Sequence, residues 1–259
     1  MHPDRIAELL RPFLDSGREA PERSLLPAQL QHISMYIDLM LRWNARVNLT
    51  SVREPEEIVT RHFGESFFAA RHLFPAPDQI PTEKSAEVHV IDVGSGAGFP
   101  GLPIRIWAPQ VRLTLIESNQ KKATFLREVV RSLTLTNVNV FAGRAAAYLA
   151  GQRSGQSSGQ SSGKSSHHGS SRASSRYDGR PPDNKRFGDV VTFRAVEHFD
   201  SILPAAAVLV APSGRLAILI GQAQLERARH LISSFQWADP VKLPQSSSRF
   251  LLLGKNESR

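Results

Sequence analysis

The stretch Val90-Ile91-Asp92-Val93-Gly94-Ser95-Gly96-Ala97-Gly98-Phe99-Pro100-Gly101 places four glycines directly behind an apolar run. A strand that delivers the backbone into such a loop leaves no side chains to obstruct a ligand. Glycine also lets the main chain take positive φ and approach a ligand closely. The N–H groups at the start of the following helix attract a carboxylate or a phosphate.

Two ligands suit this loop. Gly96 to Gly101 fits the dinucleotide pattern G-x-G-x-x-G, which is weak on its own. The other frame, Asp92-x-Gly94-x-Gly96-x-Gly98, fits the first motif of methyltransferases that use S-adenosylmethionine. Asp92 favours the second frame. A carboxylate there can organise the loop amides or face a sulfonium cation, but it would repel a pyrophosphate. Glu117 ends the next apolar run, 23 residues after Gly94, where an acid can accept both hydroxyls of a ribose. Gly94, Ser95, Gly96, Gly98 and Glu117 are therefore candidate cofactor residues.

The elements that must position them alternate in kind. Apolar runs at 88–93, 111–116, 138–141, 189–193, 215–220 and 249–253 read as strands. Amphipathic stretches at 121–133, 202–210 and 225–235 read as helices between them. This alternation predicts an α/β fold with a mostly parallel sheet covered on both faces. Residues 1–74 read as helical. One stripe holds Leu30, Ile33, Ile37, Met40 and Leu41 behind Pro27, and a second helix starts at Pro55. Residues 75–86 read as a linker. The chain thus divides into a helical extension, 1–86, and a cofactor-binding body, 87–254. Residues 151–186, with eleven Ser and six Gly, interrupt that body and are expected to be disordered. His167 and His168 lie in this insertion and read as polar residues of low-complexity sequence.

Composition narrows the classes further. Hydrophobic content of 41% and charged content of 22% are those of a globular protein. The chain has no cysteine, which excludes disulfides, thiolate zinc sites and cysteine nucleophiles and fits a cytoplasmic protein. No apolar run approaches the roughly 18 residues of a membrane span. Asp4 and Glu8 near the start argue against a secretory signal. No metal is expected, and a monomer is. Of the net +8, residues 151–186 carry +5, so the folded body is only weakly basic.

A wider set of residues carries a resemblance. Trp43-Asn44, Val47-Asn48-Leu49-Thr50-Ser51-Val52, Arg61-His62-Phe63 and Glu65-Ser66 precede the glycine loop. Glu117-Ser118, Lys121-Lys122-x-x-Phe125-Leu126, Arg144 and Arg194-Ala195 follow it. In this order the chain resembles the RsmG (glucose-inhibited division protein B) family over about 25–150 and 187–254. The resemblance implies a Rossmann-like class I methyltransferase with a seven-stranded sheet and an N-terminal helical extension. It implies S-adenosylmethionine as cofactor and N7 of a guanine in 16S ribosomal RNA, or in the small ribosomal subunit, as target. It implies that Gly94 and Phe99 line the cofactor pocket, that Ala145 and Ala146 hold the adenine region, and that Arg194 faces the reaction centre. The sequence departs from the family pattern at Ala146, often acidic there, at Ile220-Gly221, usually Lys-Gly, and at Glu65-Ser66, usually Asp-Ser.

Guanine N7 carries no hydrogen, so this chemistry needs no general base. The protein's task is alignment. Candidate substrate-positioning residues are Arg194, Arg144, Asn48 and His62, and candidate RNA-binding residues are Arg61, Lys121 and Lys122. Asn48 also suits a helix cap, and His62 a packed core histidine. Competing functions are a methyltransferase for another RNA or a small molecule, a cofactor-binding ribosome-assembly factor with little catalysis, and, more distantly, an NAD-dependent oxidoreductase.

Overall fold

The computed structural model describes residues 1–15, 24–74, 87–154, 187–194 and 199–257. The expected linker at 75–86, most of the Ser/Gly-rich insertion with His167 and His168, and Ala195 lie outside the described residues.

Strand β1, His89–Val93, is buried along its whole length, as a central parallel strand must be. It pairs in parallel with β2, Arg112–Glu117, and with β4, Gly188–Arg194. Strand β3, Val138–Ala142, pairs with β2, and β5, Val210–Gly221, with β4. The sheet then reverses direction. Strand β8, Arg249–Asn256, runs antiparallel to β5 and carries β6, Phe235–Trp237, and β7, Val241–Lys242, on its other edge. The order is β3-β2-β1-β4-β5-β8-β6, with β7 paired to β8.

The sheet has eight strands where seven were expected. Strands β6 and β7 are three and two residues long, too short to show a period, and Pro240 between them lacks the N–H that would join them. The last helix, α9 (Leu225–Leu231), stops there, because Phe235 pairs with Asn256 instead of extending it.

Alternate residues of each strand point to opposite faces. One face, with Val90, Leu113, Leu115 and Val190, packs against the N-terminal helices, α5 (Gly101–Trp107) and α6 (Gln120–Ser132). The other, with Ile91, Ile116, Phe193 and Ile218, packs against α7 (Ala145–Ser154), α8 (Phe199–Ala207) and α9 (Leu225–Leu231). Helices α1 (Pro3–Leu14) and α2 (Pro27–Asn44) share the first core with the sheet.

The helix expected from Pro55 is irregular. A single turn, α3 (Pro55–Glu57), leads into a π-helical stretch, Ile58–Gly64, and then α4, Glu65–Leu73. At Gly64 a Cβ would lie 2.7 Å from the Phe13 ring, so the missing side chain lets α1 press against the widened turn. Such turns often mark functional sites. This one turns His62 and Phe63 inward and buries both.

Helix α2 closes over the glycine loop. The Tyr36 hydroxyl donates to the Ala97 carbonyl. Gly98 has φ +93, and a Cβ there would meet the Tyr36 hydroxyl and lie 2.6 Å from Leu102 Cδ1. Replacing Gly98 with Ala is expected to destabilise the protein by about 2–4 kcal/mol, combining backbone strain with overpacking. Among the described residues nothing lies within 4 Å of where a Cβ on Gly151, in α7, would sit, so Gly151→Ala is expected to stabilise by about 0.5–1 kcal/mol. Urea midpoints of the two variants check this, and an unchanged midpoint for Gly98→Ala would contradict the packing described.

Candidate functional site

The glycine loop is held by its own backbone and by two acids. Gly94 and Ser95 donate their N–H groups to the Ile116 carbonyl at 2.8 and 3.1 Å, tying the loop to the end of β2. Gly96 N–H donates to Glu117 Oε2 at 2.8 Å, and Asn119 N–H donates to Oε1 at 2.7 Å. Asn119 in turn caps α6, accepting from the amides of Lys121 and Lys122. Glu117 therefore joins the glycine loop to the start of α6, with lone pairs left on both oxygens.

Asp92 organises the loop rather than facing the cavity. Its carboxylate is fully buried. It accepts from the Thr192 hydroxyl at 2.8 Å and from Gly101 N–H, at the start of α5, at 3.3 Å. Burial raises its pKa to about 7, against the pull of these donors.

Beyond the loop lies a cavity of about 510 Å³, lined by Gly94, Ser118, Arg144, Ala145, Ala146 and Ile202 among others. It opens at the carboxyl ends of β1, β2 and β3, where open α/β sheets take their ligands. Its size suits a nucleoside-sized ligand. Ala145 and Ala146 begin α7, and the first N–H groups of a helix have no partner within it. Small side chains at Gly94, Gly143, Ala145 and Ala146, with an acid at Glu117 beside them, suit the adenosine half of S-adenosylmethionine.

A second cluster lies on the other side of the loop. Phe99 is sandwiched between Tyr36, with ring centroids 5.4 Å apart and planes 6° apart, and His62, at 5.0 Å and 29°. Arg194 sits over the same ring, 5.5 Å from its centroid. Arg194 Nη2 donates to His62 Nδ1 at 2.5 Å, and Nη1 donates to the Arg61 carbonyl at 2.9 Å. A guanidinium can only donate, so His62 Nδ1 is bare and Nε2 carries the hydrogen. That N–H donates to Thr50 Oγ1 at 2.8 Å. Burial and the neighbouring Arg194 lower the His62 pKa to about 2. Burial also lowers Arg194 to about 10, which leaves it charged at neutral pH.

The candidate residues thus fall into four groups. Gly94, Arg144, Ala145 and Ala146 line the cavity. Ser95, Gly96, Gly98 and Glu117 form its scaffold. Phe99, His62 and Arg194 form the buried stack. Asn48, Arg61 and Lys121 are exposed, Lys122 is half-buried, and Arg61 is paired with Glu57 at 2.7 Å. Asn44, the last residue of α2, braces the following loop: its side chain accepts from Leu49 N–H and Thr50 N–H and donates to the Thr50 carbonyl. Ile220, at the family's usual lysine position, is buried in the second core. Tyr36 and Arg249 join the site without having been singled out, and Asn44 and Thr50 had been named only within the segments that carry the resemblance. Tyr36 and Arg249 meet partners distant in sequence, Ala97 and Glu65. Among the described residues, no cluster of three or more His, Cys, Asp or Glu could hold a metal ion, and no helix is long and apolar enough to cross a membrane.

A parallel sheet with an antiparallel strand beside β5, a glycine loop after β1, an acid ending β2 and a cavity at the carboxyl edge define a class I methyltransferase that uses S-adenosylmethionine. The family model described as rRNA small subunit methyltransferase G matches residues 29–157. Ribosomal RNA small subunit methyltransferase G of Roseiflexus castenholzii is 32% identical over 253 residues, covering 95% of this chain and 89% of that protein. The Nitrosomonas europaea protein of the same name is 40% identical over 131 residues, covering 50% of this chain and 56% of its own. Among solved structures, TrmN from Thermus thermophilus aligns with a TM-score of 0.48 and 15% identity, over 76% of this chain and 53% of that one. The chain belongs to the ribosomal RNA small subunit methyltransferase G family.

His62 provides a direct check of the buried stack. Its pKa is about 2 in the folded state and about 6.5 unfolded, so protonating the unfolded chain favours unfolding. Its contribution to stability is complete above pH 6.5 and declines as pH falls towards 2, by up to about 1.4 kcal/mol per pH unit. Nitrogen NMR of the ring is expected to show a neutral Nε2–H imidazole that does not titrate between pH 8 and 5. A midpoint inside that window would contradict the Arg194 to His62 bond.

Proposed function

We propose that this protein transfers a methyl group from S-adenosylmethionine to N7 of a guanine in 16S ribosomal RNA. The observation that carries this reading is the cavity at the carboxyl edge, with Arg144 on its wall and the fixed Arg194 across the glycine loop, in a chain of this family. Bound in that cavity, S-adenosylmethionine supplies a methyl group already activated on a sulfonium.

The chain's residues bind and align. Glu117 accepts the ribose hydroxyls on its remaining lone pairs, and the first turn of α7, at Ala145 and Ala146, holds the adenine edge. Guanine N7 loses no proton when it attacks, so no side chain has to accept one. His62 suits this, being bonded at both ring nitrogens. So does Asp92, whose carboxylate is occupied by Thr192 and Gly101. What remains is to bring N7 into line with the methyl group, and alignment of this kind contributes several kcal/mol. Lys121, Lys122 and Arg144 contact phosphates on the RNA side, and Asn48, exposed in the loop after α2, reaches a base edge. The helices of residues 1–86 and the body of 87–254 act as one unit on this substrate, as a single chain in the cytoplasm.

The test is transfer of labelled methyl groups to 16S rRNA and to small ribosomal subunits, followed by nucleoside mass spectrometry. One 7-methylguanosine is expected. Label on a different nucleoside would overturn the N7 assignment, and no transfer to either substrate would overturn the rRNA reading. Glu117→Gln is expected to weaken S-adenosylmethionine binding about tenfold or more, read by calorimetry. Unchanged affinity would remove Glu117 from the cofactor site.

A further inference from the structure

Arg194 ends β4, and the β1 to β4 register, Asp92 opposite Thr192, brings it level with Gly94 in the loop. Its guanidinium is anchored on one side only. Nη1 donates to the Arg61 carbonyl at 2.9 Å and to Glu65 Oε2 at 3.4 Å, and Nη2 donates to His62 Nδ1 at 2.5 Å. An arginine head carries five N–H donors. Among the described residues, Nε–H and one Nη2–H meet no acceptor.

Behind this anchor stands a second arginine. Glu65 opens α4 and is 3% exposed, a rare setting for a carboxylate. Its other oxygen, Oε1, is bound by Arg249 Nη1 at 2.9 Å. Arg249 begins β8, opposite Gly221 at the end of β5, so the three charges meet at the ligand edge of the sheet. Burial raises the Glu65 pKa while Arg194 and Arg249 oppose it. A buried ion pair adds little stability over well-packed apolar residues, so holding α4 on the sheet does not account for this triad. A guanidinium held on one edge, with two donors left beside the cofactor loop, does.

We propose that Glu65, backed by Arg249, is a positioning residue that fixes the Arg194 fork so that its two remaining donors meet O6 of the target guanine. This rests on the guanine reading above. Guanine presents two acceptors, O6 and N7, on that edge. The fork takes O6 and leaves N7 open to the methyl group. Adenine presents an amino donor at the equivalent place and is refused. The negative charge of Glu65 also keeps the Arg194 charge balanced as the purine becomes cationic.

A double-mutant cycle tests this in the full chain, with kcat, the KM for rRNA and S-adenosylmethionine affinity measured for each variant. Glu65→Gln is expected to lower kcat on the order of tenfold to hundredfold while cofactor affinity is unchanged. Glu65→Asp is expected to restore most of the loss, and Arg249→Lys to reproduce it if Glu65→Gln does not fold. Glu65→Gln combined with Arg194→Lys is expected to be no slower than Arg194→Lys alone. Multiplying losses, or a loss that follows cofactor affinity or folded fraction, would overturn the proposal. Nitrogen NMR of the arginine side chains supplies a readout without substrate. Rotation of the Arg194 guanidinium is expected to be slow in the parent protein and fast in Glu65→Gln, and equal rates would also overturn the proposal. If the parent protein methylates no rRNA, the functional reading fails while this measurement still decides the clamp.

Discussion

The fold of the site depends on one close approach, that of α2 to the glycine loop. Tyr36 lies where a side chain at Gly98 would be, donates to the Ala97 carbonyl and stacks on Phe99. The glycines are therefore needed on two sides. Facing the cavity, Gly94 leaves room for a ligand. Facing the core, Gly98 leaves room for a helix. This contact joins the N-terminal helices to the body that carries the loop, with Phe63 and Leu126 packed beside it.

Phe99 carries the consequences outward. Its ring is shared by Tyr36, Phe63, His62 and Arg194, so the loop, α2, the π-helical turn and the end of β4 converge on one side chain. The polar groups around it are linked in series. Asn44 shapes the turn that presents Thr50, Thr50 accepts from His62, His62 accepts from Arg194, and Glu65 joins Arg194 to Arg249. In a low-dielectric setting each of these bonds is stronger than it would be in water. The turn at 45–50 and the end of β4 are thereby held in register with each other.

Much of this was legible in the residues. The strand, loop, strand and acid spacing of 90–117 placed the glycine loop and Glu117 together at one edge of the sheet, and the alternation of elements placed the parallel sheet. These signals are local, set by periods of two and 3.6 residues and by glycine at fixed offsets. The misses have equally physical causes. Strands β6 and β7 are pairings imposed by β8 on pieces too short to have a pattern. The π-helical turn depends on Phe13 packing against Gly64 across 51 positions of chain. His62 reads equally as an RNA contact or a core residue until its two hydrogen bonds are seen.

The sequence by itself determined the class of chemistry. Asp92, the glycines and Glu117 sit close together along the chain, and backbone geometry alone carries them to one loop. It also set the family, through segments whose order survives any uncertainty about how they pack. Only the tertiary structure decided which charged residues line the cavity and which face each other. Asp92 turned inward to Thr192 and Gly101, His62 became a neutral acceptor, and Glu65 met an arginine 184 positions away. A side chain's protonation and direction depend on burial and on partners brought from other elements, and no spacing along the chain encodes them.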